Sequence, residues 1–180
     1  MPELHTYPAK DLPDYLKWQI LSFQRVEWPD GFEGENLNRD WIVRPESHPI
    51  HFTLEDNRLL ISHAAVVWQT ITHQEENYKS YGITGMFTYP SFRRQGYGLQ
   101  LAKACKNYML KSDADICMFF GVENGIYEKA GFTPMPDVRV KIGDKITNEI
   151  PYMLFISPKA KNDKAKFSQT PVCFGKNIDL

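Results

Sequence analysis

At 180 residues the chain is long enough for one sizeable core and short for two domains. Its 42% hydrophobic and 24% charged content is that of an ordinary globule, and a net charge of −1 leaves no electrostatic footprint for nucleic acid or an anionic membrane. Three cysteines, two of them (Cys105 and Cys117) in core-like runs, suit a reducing compartment better than a disulfide framework. Met1-Pro2-Glu3-Leu4-His5 shows no basic-then-apolar leader and no run approaches membrane-spanning length, so a cytoplasmic protein is expected, monomer or homodimer.

In chain order, Leu12 to Val26 reads as a helix, with Tyr15, Leu16, Ile20 and Phe23 at three- and four-residue spacing and Asp11 near its start. Residues 27–49 form a polar loop rich in Gly, Pro and Asn, with a turn of helix near Arg39-Asp40-Trp41. Ile50 to Leu54 and Leu59 to Thr70 read as a hairpin about Asp56-Asn57. Leu60 to Trp68 is apolar on both faces and should be a buried central strand. Gln74 to Asn77 turns the chain into a strand ending at Thr88, and Leu99 to Lys111 is an amphipathic helix whose apolar face includes Leu101, Ala102, Cys105, Tyr108 and Met109. Ile116 to Phe120 is a strand, and a short helix ends at Gly131. The last strand is Tyr152 to Ile156, and Lys159 to Lys166 is a solvated charge run before an apolar tail at Pro171 to Phe174.

The most informative stretch is Arg93-Arg94-Gln95-Gly96-Tyr97-Gly98, between the strand ending at Thr88 and the following helix. A glycine-containing turn that opens a helix directs its own N–H groups and the helix's first unpaired ones at one spot, where the dipole also favours an anion. Gly96 and Gly98 permit close backbone approach, and Arg93 and Arg94 add charge-assisted hydrogen bonds to phosphate oxygens. The segment is no P-loop, since no Lys-Ser or Lys-Thr follows, and it lacks the three glycines of a dinucleotide fingerprint. A second block, Gly121 to Phe132, carries Tyr127-Glu128-Lys129-Ala130-Gly131-Phe132, with Gly131 where a left-handed helix cap is wanted.

The first block resembles the acetyl-CoA pyrophosphate loop [Q/R]-x-x-G-x-[G/A] of the GNAT N-acetyltransferase superfamily, and the second its Y-E-K-x-G-F signature. The resemblance covers about residues 58–156. It implies a central mixed, mostly antiparallel twisted sheet flanked by helices, in one domain over 1–180, with a coenzyme-binding core at about 58–156, a substrate-side loop at 27–49 and a tail at 157–180. It also implies acetyl-CoA as co-substrate, bound by Arg93, Arg94, Gln95, Gly96, Tyr97, Gly98 and Asn124 and by the backbone of Met86, Phe87 and Thr88. In the family that backbone supplies the donor to the thioester carbonyl where two strands splay, and Tyr127 would protonate the leaving thiolate. Acetyl transfer to an amine then passes directly through a tetrahedral intermediate, and no acyl-enzyme is needed.

Within the superfamily the chain is most similar to aminoglycoside 2′-N-acetyltransferases: Leu60-Ile61-Ser62-His63-Ala64-Ala65-Val66 resembles that group's I-I-A-H-A-A-V strand, and Gly34-Glu35 and Asp40-Trp41 resemble its Gly-Asp and Asp-Trp. The C-terminus, Cys173 to Leu180, resembles its tail. This implies a small cationic amine, aminoglycoside-like or polyamine-like, met by Glu35, Asp40, Thr84, Asp179 and Leu180. The chain departs from the group at Thr84, where the group has a Glu that draws the amine's proton through water. Glu35, Asp40, Glu123 or the terminal carboxylate would then serve, or the acceptor differs. Two alternatives stay open: an acyl-CoA-binding module without transferase activity, and a protein or peptide N-acetyltransferase. His48, His51, His63 and His73 read better as packing groups than as metal ligands, so no metal is expected.

Overall fold

A computed structural model describes residues 2–121 and 125–174. In order, the elements are β1 (Glu3–Pro8), α1 (Asp14–Glu27), β2 (Ile50–Asp56), β3 (Leu59–His73), β4 (Glu76–Thr88), α2 (Tyr97–Leu110), β5 (Ile116–Phe119), α3 (Ile126–Ala130), β6 (Thr133–Pro134), β7 (Val140–Ile142), β8 (Lys145–Thr147), β9 (Tyr152–Phe155), α4 (Pro158–Asp163) and β10 (Val172–Phe174). The strands join in one mixed sheet, ordered β6-β9-β5-β4-β3-β10-β7-β8, with β2 also on β3 and β1 on β2. Two pairings are parallel, β4 with β5 and β10 with β7. The rest are antiparallel, as the resemblance implied.

The two-faced apolar run is the centre of this sheet. Ile61, Ala64 and Val66 of β3 pack with Leu101, Ala102, Cys105 and Met109 of α2 on one face. Leu60, Ala65 and Val67 pack with Leu16, Ile20 and Phe23 of α1 on the other. A strand covered on both faces cannot alternate polar and apolar residues, which is why its sequence is almost continuously hydrophobic. Two tight turns flank it, with Asn57 and Arg58 at φ 50° and 66° and Gln74 and Glu75 at φ 47° and 66°. Paired positive φ values give the twist that closes a two-residue hairpin. Glu76 and Asn77, expected in the second turn, already belong to β4.

Several expectations need correction. Helix α1 starts at Asp14, after Pro13, rather than at Leu12, because Pro8 to Asp11 is taken up by a strand end and a short 3-10 turn. Arg39-Asp40-Trp41 is not helical; the 3-10 turns lie at Pro29–Phe32, Gly34–Asn36 and Pro45–Ser47. The Arg39 guanidinium stacks between the Phe32 ring (3.9 Å) and the Trp41 ring (4.5 Å), and this holds the segment open. Helix α2 begins at Tyr97, two residues before Leu99, so Gly98 lies in its first turn. Tyr152–Phe155 is not the last strand: β10 follows, in register with β7 and touching β3 at Cys173–Thr72. The charge run is α4 plus a 3-10 turn, its lysines exposed as expected, but it carries the fully buried Phe167 against the His73 ring at 4.5 Å.

Candidate functional site

Strands β4 and β5 pair only at Ser80–Ile116 and Tyr81–Cys117. Beyond Tyr81 they part, and among the described residues the β5 side of Gly82–Thr88 has no ladder partner. On the other side β4 follows β3 until the register shifts: His63 faces Phe87, and Ala65 faces Thr84. Gly85 and Met86 therefore span the place of Ala64 alone, a β-bulge, with Gly85 at φ +56°. Ser62 Oγ fixes the strand end, donating to Phe87 O at 2.6 Å and lying 2.8 Å from Thr88 Oγ1.

From Thr88 the chain passes through a 3-10 turn, Pro90–Phe92, into the basic loop. Arg94 (φ +64°) and Gly96 (φ +85°) take left-handed conformations, which turn the chain sharply into α2. Among the described residues no side chain caps this helix, and the N–H groups of its first turn have no intrahelical acceptor. A Cβ built at Gly96 would meet nothing within 4 Å, leaving open space before these donors. The amides of Tyr97 to Leu99 and the exposed Arg94 and Gln95 gather at this turn, donors of the kind an anion requires. Arg93 is partly committed elsewhere: its Nε donates to Thr88 O at 3.0 Å and its guanidinium lies 3.8 Å from Glu27. Gly98 is the meeting point. A Cβ there would lie 3.5 Å from Ile126 Cδ1, 3.7 Å from Thr88 Oγ1 and 4.0 Å from Met86 Cε. The end of β4, the start of α2 and the start of α3 thus converge on one glycine.

Tyr127 sits on α3 with its ring buried against Phe119 (4.9 Å) and Tyr152 (5.1 Å). Burial pushes its phenol up to about 12, so it stays protonated at neutral pH. Among the described residues its hydroxyl has no hydrogen-bond partner. Gly121 makes room for the ring: a Cβ there would press on Tyr127 Cε2 and lie 2.9 Å from Cδ2. The helix is only five residues long and is tied down at its end, where Gly131 takes φ +87° and Lys106 Nζ donates to Ala130 O and Gly131 O at 3.1 Å each.

On the substrate side Glu35 is exposed in its 3-10 turn, Asp40 is exposed and paired with Lys17 at 3.2 Å, and Thr84 is half-buried at the bulge. Glu123, Asn124, Asp179 and Leu180 lie outside the described residues. The histidines scatter: His48 stacks on Trp68, His73 on Phe167, and His51 contacts His63. Sequence reasoning missed Gly121, Lys106 and Glu27, whose roles come from contacts distant along the chain. It also missed an open cleft of about 530 Å³ beside Tyr127, lined by Gly121, Glu128, Asn148, Glu149, Ile150 and Tyr152 among others. Glu128 accepts a hydrogen bond from the Tyr152 hydroxyl at 3.1 Å there.

Residues 3–135 match the family model described as an acetyltransferase (GNAT) domain. No curated protein matches the chain. Among solved structures, a GNAT family N-acetyltransferase from Escherichia coli in complex with CoA is similar at 14% identity and TM-score 0.58, over 96% of this chain and 89% of that one. A GNAT family acetyltransferase from Brucella melitensis in complex with acetyl-CoA is similar at 17% identity and TM-score 0.56, over 87% and 90%. A predicted acetyltransferase from Clostridium acetobutylicum, solved with acetyl-CoA, is similar at 17% identity and TM-score 0.55, over 75% and 92%. At these identities the likeness speaks for the fold.

Proposed function

This chain belongs to the GNAT acetyltransferase family, and we infer that it moves the acetyl group of acetyl-CoA directly onto a primary amine of a small cationic molecule, aminoglycoside-like or polyamine-like. The observation that carries this reading is the convergence at Gly98, where a parted strand, an anion-facing helix start and the Tyr127 helix come within van der Waals reach. The first turn of α2 with Arg94 holds the pyrophosphate. The free edge of β4 at Met86 to Thr88 pairs with the pantetheine arm as an added strand would, and its N–H groups face the thioester carbonyl, where negative charge develops. Tyr127, held protonated by burial, gives its proton to the departing thiolate.

The amine must lose its proton before it attacks, since alkyl amines ionise at about 10. Thr84 is no base. The buried His51 and His63, lowered by desolvation to about 4 and about 3, are too weak to take that proton. The rate should therefore rise toward alkaline pH with the amine's own ionisation, and the alkaline fall from loss of the Tyr127 proton should stay out of sight until about 12. Carboxylates support a cationic acceptor: Glu128 and Glu149 line the cleft beside Tyr127, and Glu35 and Asp40 lie on the loop after α1.

An acetyl-CoA-dependent thiol-release screen over aminoglycosides, polyamines and peptides tests the reading. With the best acceptor, Tyr127→Phe should lower kcat by about 10²- to 10⁴-fold while acetyl-CoA affinity holds. Wild-type kcat in that variant would demote Tyr127 to packing. Glu35→Gln with Asp40→Asn, or Glu149→Gln, should raise KM for the amine about tenfold per lost contact and spare KM for acetyl-CoA. An unchanged amine KM in both would move the acceptor site elsewhere.

A further inference from the structure

Among the described residues the bulge leaves the Gly85 carbonyl without a ladder partner, and a side chain takes that place. His63 Nδ1 lies 2.9 Å from Gly85 O, and His63 Nε2 lies 3.0 Å from His51 Nδ1. A carbonyl only accepts, so the His63 proton is on Nδ1. Nε2 then holds a lone pair, and His51 must donate to it from its own Nδ1. Both rings are buried, at 0% and 2% exposure, so the order of donors is not exchanged with water. Desolvation keeps both imidazoles neutral, which preserves this single arrangement. Gln24 packs on the same side, its Nε2 3.0 Å and His63 Cε1 3.8 Å from where a Gly85 Cβ would sit.

The Gly85 carbonyl and the Met86 N–H belong to one planar peptide, and all peptide bonds described are trans. Fixing one end of that plane fixes the other, pointing the opposite way, away from the imidazole. We propose that His63, backed by His51, is a positioning residue that locks the Gly85–Met86 peptide and so aims the Met86 N–H at the thioester carbonyl of acetyl-CoA. This rests on the reading of β4 as the carbonyl's donor. A preset donor adds to catalysis because no reorganisation is needed as charge develops.

Gly85-Met86 is the one Gly-Met step in the chain. Protein with carbonyl-labelled glycine and amide-labelled methionine therefore gives a single carbonyl–amide NMR correlation for this peptide. His63→Leu removes the donor, whereas His63→Asn returns an N–H close to the Nδ1 position. The correlation should move in His63→Leu and return toward wild type in His63→Asn. His51→Leu, which keeps the ring of His63 but removes its support, should give a smaller displacement and serves if His63→Leu fails to fold. Calorimetry supplies the second readout: His63→Leu should weaken acetyl-CoA by about three- to tenfold while sparing CoA, which lacks the carbonyl, and His63→Asn should restore it. A correlation unchanged across the variants overturns the proposal. Equal loss of both ligands, unrescued by His63→Asn, marks a packing residue and overturns it too. A wild-type protein that holds acetyl-CoA and CoA equally, with the correlation still moving, removes Met86 as the carbonyl's donor and leaves His63 with a structural part alone.

Discussion

At position 121 any side chain would collide with the Tyr127 ring. The glycine is required there by a neighbour six residues on, not by its own backbone. Gly121→Ala should push the phenol off its line and lower kcat by about 10²-fold, the cost of a misplacement near 1 Å. Overpacking should also cost about 1–3 kcal/mol of stability. Turnover measured beside acetyl-CoA calorimetry checks this: kcat should fall while the dissociation constant stays within about threefold, because the proposed pyrophosphate cradle lies on a different helix. A fully active Gly121→Ala enzyme would mean that the Tyr127 position does not matter to the chemistry.

The element proposed to decide coenzyme binding is the start of α2, where two left-handed residues, Arg94 and Gly96, lead into a first turn that no described side chain caps. Gly96→Asp places a carboxylate before those donors, where it competes with phosphate and repels it. Acetyl-CoA binding by calorimetry should be abolished with the fold retained. Gly96→Ala is the contrast: open space surrounds its Cβ, so only the cost of a left-handed alanine, about 1–2 kcal/mol, should be felt. Near-wild-type affinity in Gly96→Asp would remove the loop as the phosphate site.

At the scale of the whole molecule, the buried histidine pair ties acid stability to the sheet centre. His51 is lowered from 6.5 to about 4 and His63 from 6.5 to about 3, each mainly by desolvation. In the unfolded chain both take up protons below their ordinary value of 6.5, while the folded protein does not. The unfolded state thus binds more protons, and stability falls as pH drops from 6.5 toward 4. For His51 alone the loss by pH 4 is on the order of 3 kcal/mol. Asp113 and Asp163, held below the usual carboxylate range by hydrogen bonds from Lys79 and Lys166, lose their contributions only at still lower pH. Thermal melts from pH 7 to 4 should show a steep decline, flattened in a His51→Leu, His63→Asn double variant. A double variant with the wild-type pH slope would mean that other groups carry the acid sensitivity.

The family and the strand–turn–helix geometry of the basic loop were legible in the chain because each rests on local rules. Arg93 to Gly98 needs only a strand, a turn and a helix in sequence order. Gly131 needs only a helix end, and the apolar run Leu60 to Trp68 announces two covered faces by itself. Other features are pairings across long separations, which no local pattern encodes. Strand β10 exists because Val172–Phe174 meets Val140–Ile142 and Thr72. The Tyr127 pocket exists because Gly121 and Tyr152 close around the ring. The His51–His63–Gly85 chain crosses three strands and a register shift, and register is set by how whole strands align rather than by any residue within them. The sequence alone determined that a glycine-containing loop precedes a helix beside a two-faced strand; tertiary structure alone decided which side chains meet the Gly85–Met86 peptide and the Tyr127 ring, because those contacts form only once the sheet has closed.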